Sequence, residues 1–167
     1  SHTITVRNAR ADESITTLTG ETYALTENDA LIVDGGTDMP IGIAGVKGGK
    51  VAEVDGSTVD IILESANFDP VKTRHTSQRL KLRTDASARF ENNISRSMAG
   101  YGVKWGAEFI VKFCGGEIVG YVDTNPEPVA RPSVSVPLSK INSVLGLSLS
   151  IADVELIEAP FTHIKMN

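Results

Sequence analysis

One cysteine in 167 residues, Cys114, leaves no partner for an internal disulfide. That excludes a disulfide scaffold and points to a reducing, cytoplasmic setting. At the end of a helical pattern, Cys114 reads as a buried small hydrophobe. Aromatic residues make up only 5%, so the core has to rest on Val, Ile, Leu and Ala. No apolar run approaches the ~20 residues that span a bilayer, and no signal peptide opens the chain. Without a secretory context, the sequon Asn93-Ile94-Ser95 reads as chance. There is no excess of positive charge either. The net charge of -5 excludes an overall basic, electrostatically sticky protein but leaves room for a local basic stripe. No nucleophile-base pair, metal cluster or phosphate loop stands out.

What is present suits one domain with a short appendage, at 41% hydrophobic residues. Ile4 and Val6 alternate with polar residues, as do Ile15 and Thr17 before a Thr19-Gly20 turn. Leu31-Ile32-Val33 runs into Asp34-Gly35-Gly36, a turn signal. Gly42 between Ile41 and Ile43 marks a bulge or a close backbone approach. Val51 to Val54 and Val59 to Leu63 complete the strand-rich half. Asp69-Pro70 then supplies an N-cap and a first helical proline, predicting a helix over 70–81. Met98, Tyr101, Trp105, Phe109 and Phe113 recur at helical spacing and predict a helix over 95–114. It ends at Gly115-Gly116 with the aromatic stripe in the core.

Strand patterns precede helices instead of alternating with them. The expected class is therefore α+β: a mostly antiparallel sheet over 4–63, two helices packed on it, and a short helical appendage. The expected domains are 1–122, a proline-rich connector over 123–137, and 138–167. In the last segment Leu138, Ile141, Val144 and Leu145 form an apolar face ending at Gly146. Ser150 and Asp153 then open another helix with a capping-box-like pair.

The central block over 44–91 carries the chemistry. AGVKGG supplies Gly45, Gly48 and Gly49, where backbone amides can approach a ligand without side-chain obstruction. It is not a Walker loop, because Lys50 is followed by Val51. LESANFDP places Glu64 at the end of an apolar strand, where a carboxylate is either solvated or turned inward to bind something. LRTDASARFE supplies Thr84, Asp85, Ala86 and Ser87 as a polar turn or helix N-cap. Lys72, Arg74, Arg79, Lys81, Arg83 and Arg89 gather positive charge in the same region, which in an acidic chain favours a phosphate-bearing partner.

These three motifs, in this order and spacing, resemble the tRNA-editing module of the bacterial phenylalanyl-tRNA synthetase beta subunit. AGVKGG resembles that family's A-G-V-M-G-G, and the other two match almost residue for residue. FCGGEIVGYVD and LSKINSVLGLSLS resemble the helix exit and the start of the next module. On the resemblance, the chain is an excised fragment of phenylalanine-tRNA ligase, and this module hydrolyses tyrosine wrongly attached to the phenylalanine tRNA. Glu64 would accept the tyrosine hydroxyl. Gly45 and Gly48 would admit the aminoacyl group, Thr84 and Ala86 would position the ester, and water would be the nucleophile.

The resemblance also implies the acceptor end of tRNA(Phe) as partner, with Lys72, Arg74, Arg79 and Arg83 as contact candidates. The alpha subunit is a second implied partner. No cofactor is expected for this fragment, whereas the full enzyme uses ATP and magnesium in another region. The alternatives are a catalytically silent tRNA-docking module and a free-standing deacylase. Two departures stand out. None of His2, His75 or His163 occupies the place of the family's upstream His-Ala-Phe-Asp histidine. Lys47 replaces the usual Met, and Asn92-Asn93 replaces the usual Arg-Gly.

Overall fold

The computed structural model describes residues 3–124 and 134–158, and divides the chain into two compact units, Ser1–Thr124 and Asn125–Asn167. Pro126, Pro128 and Pro132 of the connector, together with His2 and His163, lie outside the described residues.

The first unit is α+β. A four-stranded antiparallel sheet runs β1 (Ile4–Asn8), β4 (Ala30–Asp34), β5 (Pro40–Ile43), β6 (Lys47–Gly48) in spatial order. β2 (Ser14–Thr16) and β3 (Thr22–Ala24) form a separate hairpin around Gly20, whose φ of +89° suits a residue without a Cβ. A bridge between Thr17 and Gly49 ties this hairpin to the sheet. The Asp34 turn forms as its sequence implies: the carboxylate accepts from the Gly36 and Thr37 amides at 2.7 and 2.9 Å.

Strand alternation decides the two faces of the sheet. Leu31 and Val33 are fully buried with Ile43, Val46, Ile15, Leu25 and Ala9 in an aliphatic core, against which Leu80 and Leu82 pack. On the opposite face the register aligns Ile32, Gly42 and Gly48 across three strands.

The helix α1 (Pro70–Arg79) starts where Asp69 accepts from the Val71 and Lys72 amides. It is anchored by Asp29, a buried carboxylate that accepts from Thr26 Oγ1 at 3.0 Å, Thr76 Oγ1 at 2.7 Å, and the Arg79 guanidinium. A buried charge of this kind persists only when it is so completely paired. α2 (Asp85–Phe90) turns the polar Thr84–Ser87 stretch into a true helix, because Thr84 and Ser87 cap one another reciprocally.

Three expectations about this unit are corrected. The sheet stops at Gly48 and does not reach residue 63: Lys50–Ala52 is a 3-10 turn, and 53–69 holds no strand. Asp55 closes a local turn with Ser57 and Thr58, and Val51, Val54, Val59, Ile61 and Ile62 stay exposed. β propensity alone makes no ladder without an adjacent edge to pair with.

The second correction concerns α3 (Met98–Cys114). Its period is as expected, but the aromatic stripe is outside the core, with Trp105 61% and Phe113 70% exposed. The face that packs carries small residues instead. A Cβ at Gly102 would stand 2.6 Å from Ser65 Oγ, and one at Gly106 3.0 Å from Leu63 Cδ2. Glycine admits the neighbouring chain where a larger side chain would hold it off. Cys114 is likewise exposed, not buried, since the last turn of α3 runs out into solvent.

In the second unit, α4 (Leu138–Leu145) ends at Gly146 in the left-handed region, with φ +67°. Asn142 brackets Leu149 with two hydrogen bonds. Ser150 and Asp153 then cap α5 (Ile151–Glu158) reciprocally.

Candidate functional site

A groove of about 910 Å³ opens on the sheet face opposite the aliphatic core. Its floor holds Ile32, Gly42 and Gly48, the residues that the register aligns. The walls come from the 62–68 segment, α2, and the first turns of α3. Such a volume lies at the upper end of small-ligand pockets, roughly 300 to 1,000 Å³.

Gly45, Gly48, Glu64, Thr84 and Ala86 all line this one groove, whereas Gly49, the third glycine of AGVKGG, is buried and does not. Gly45 is required by conformation as well as space: φ is +70°, and a Cβ would lie 3.0 Å from the Phe68 ring and 3.1 Å from Thr73 Oγ1. Gly48 keeps the floor low, since a Cβ there would meet Leu18 Cδ1 at 2.9 Å. Phe68 and Phe90 close one wall in an edge-to-face contact, 4.9 Å between centroids.

Thr84 holds two motifs together. Its hydroxyl donates to the Val46 carbonyl at 2.7 Å and accepts from the Ser87 amide at 3.1 Å. The hydroxyl proton is therefore already committed, and Thr84 can meet a ligand only as an acceptor. Asn67 likewise ties two segments together, donating to the Ile94 carbonyl at 2.7 Å.

Glu64 is one of two carboxylates lining the groove, the other being Asp85. Glu64 is exposed at the groove, and partial desolvation by the groove lining pushes its pKa above the ordinary range. Among the described residues no hydrogen bond or ion pair reaches it. An acceptor held in this way is positioned for a donor that the protein does not itself supply.

The basic candidates do not converge. Arg79 is occupied by Asp29 and by the Ala24 carbonyl, and Arg83 pairs with Glu91 at 2.9 Å. Lys72 borders a separate small cavity of about 30 Å³, and Arg74 is exposed on α1, as is His75. Lys47 and Arg89, by contrast, line the groove itself. Charge counting along the sequence could not sort them, because it does not reveal which cations have internal partners.

The B3/4 domain profile matches residues 1–115. The chain is 40% identical to the phenylalanine-tRNA ligase beta subunit of Staphylococcus saprophyticus over 92% of its length, which is 19% of that protein. The same subunit of Syntrophotalea carbinolica is 39% identical over 91% of this chain and 19% of its own length. That of Lactococcus lactis is 37% identical over 94% and 20%. The chain thus spans about a fifth of the length of the curated relatives it matches. With the profile covering its whole sheet, α1, α2 and α3, the chain belongs to the B3/4 domain family.

Proposed function

We propose that this chain is the editing part of a phenylalanine-tRNA ligase beta subunit, hydrolysing tyrosyl-tRNA(Phe) by water attack on the aminoacyl ester. The observation that carries this reading is Glu64, an exposed, unpaired carboxylate sharing one groove with Gly45, Gly48, Thr84 and Ala86. A hydrophobic pocket built for phenylalanine rejects an added hydroxyl by only about a hundredfold. A second pocket that hydrogen-bonds the hydroxyl reverses the preference, because phenylalanine would leave Glu64 without a donor. The apolar walls around Ile32, Phe68 and Phe90 suit the ring, and the glycines let backbone approach the ester. In the whole cytoplasmic enzyme, the alpha subunit would be the partner for charging, with ATP and magnesium used there.

The test is Glu64→Ala in the complete two-subunit enzyme. A hydrogen bond to a charged group contributes roughly 1.5 to 3 kcal/mol, so preference for the tyrosyl over the phenylalanyl ester should fall about tenfold to a hundredfold. Charging with phenylalanine should barely change. Equal loss of both hydrolyses would make Glu64 catalytic or structural and remove the recognition role.

A second reading, a silent tRNA-docking module, draws support from the position of His75 on exposed α1, away from the groove. Hydrolysis of tyrosyl-tRNA by this chain alone would eliminate it.

A further inference from the structure

The groove is bipolar. Four charged residues line it: Lys47 on β6, Glu64, and Asp85 and Arg89 on α2. Asp85 and Arg89 are one helical turn apart, the spacing at which opposite charges commonly pair. Among the described residues, however, no ion pair joins any two of the four, and no hydrogen bond engages the Lys47 ammonium or the Arg89 guanidinium. Elsewhere in the unit some cations are used internally, Arg7 by Glu13 and Asp38, Arg79 by Asp29 and Arg83 by Glu91. Others, such as Lys72 and Arg74, have no ion pair among the described residues but do not line the groove.

The groove is also larger than a single amino-acid side chain needs. At about 910 Å³ it matches a drug-sized ligand, leaving room for a nucleoside beside the aminoacyl group. A nucleoside at the end of an RNA brings a phosphodiester with it, an anion that Glu64 and Asp85 would repel and that Lys47 and Arg89 would attract. Arginine is suited to this task because its planar fork can bind two phosphate oxygens at once.

We infer that Arg89, with Lys47, binds the phosphodiester next to the terminal nucleoside of the RNA whose ester reaches Glu64. The inference rests on the editing reading and adds which cations of this chain take the phosphate. It also removes Arg79 and Arg83 from that role, since both are held by carboxylates.

The experiment uses this chain and two stable probes. One is adenosine carrying tyrosine in a 3′-amide linkage. The other is a trinucleotide ending in the same aminoacyl nucleoside, which adds phosphodiesters. Trinucleotide affinity should fall with salt, with a slope of about -0.7 per phosphate contact. Arg89→Gln and Lys47→Met should each flatten that slope by about one contact and weaken trinucleotide binding roughly tenfold relative to the nucleoside probe. Arg89→Lys, which retains charge without the fork, should preserve the slope and lose part of the affinity.

If Arg89→Gln and Lys47→Met leave both the slope and the ratio of affinities unchanged while Glu64→Ala weakens both probes, the phosphate assignment is wrong and the editing reading stands. If Glu64→Ala affects neither probe, or neither binds, the editing reading itself fails. A melting temperature within a few degrees of the parent's for each variant assigns the changes to binding and not to folding.

Discussion

The Thr84 hydroxyl donates a 2.7 Å hydrogen bond to the Val46 carbonyl, joining two stretches 38 residues apart. Through this bond the cap of α2 and the glycine turn between β5 and β6 become two walls of one groove. Thr84→Val should leave the Val46 carbonyl without its donor and the Ser87 amide without its cap. The expected cost is about 1 to 3 kcal/mol in urea unfolding, with Thr84→Ser recovering most of it. A valine variant as stable as the parent would show that the two walls are held together by other contacts.

Gly45→Ala should be disruptive for two independent reasons. The backbone is in the left-handed region, which costs a Cβ-bearing residue about 1 to 2 kcal/mol. The new methyl would also press on Phe68 and Thr73, shifting a wall of the groove. Thermal unfolding should report the first effect. A fall in affinity for the tyrosyl nucleoside probe larger than the stability loss explains would report the second.

Acid stability should depend on Glu13. Both of its oxygens accept from Arg7, at 2.7 and 2.9 Å, and it also accepts from the Arg10 amide. The Arg7 bonds hold its pKa down at about 2, against an ordinary 4.5. The folded state therefore binds this proton less readily than the unfolded chain. The stabilisation is fully present above about pH 4.5 and is lost as pH falls toward 2. After allowance for solvent screening, about 1 to 2 kcal/mol should disappear across that window. Glu13→Gln should be less stable at pH 7 and show a flatter acid limb. A parallel pH profile in parent and variant would show that the pair contributes nothing.

Trp105 is the only tryptophan, which makes the exposure of α3 simple to measure. Its fluorescence should be quenched readily by acrylamide in the folded chain. Trp105→Ala should change stability by no more than about 0.5 kcal/mol, whereas Leu31→Ala in the core should cost about 2 to 5 kcal/mol. A shielded indole, or comparable losses for the two variants, would return the aromatic stripe to the core.

Much of the local structure was legible because it depends on neighbours in sequence. Asp69-Pro70 starts α1, Asp34-Gly35-Gly36 makes its turn, and Ser150 with Asp153 caps α5. Each is a side chain satisfying backbone groups within three residues of itself. The helix at 85–90 was less legible, since Thr-Asp-Ala-Ser fits a polar turn as well as a capped helix. The strand patterns at 51–54 and 59–63 misled because alternation describes a surface that can be half-buried, and pairing requires a second strand.

The sequence by itself determined the α+β class and the periods of the helices, because caps and hydrophobic spacing act locally. The grouping of Gly45, Gly48, Glu64, Thr84 and Ala86, by contrast, was implied by the resemblance of three motifs. Tertiary structure alone decided which face of α3 packs. Helical period places small and aromatic stripes equally well, and the close approach of Leu63 and Ser65 selects Gly106 and Gly102. It also decided which cations are available. Arg79 and Arg83 look the same as Arg89 in sequence, but Asp29 and Glu91 hold the first two. A charge has a free end only when the fold brings no opposite charge to it.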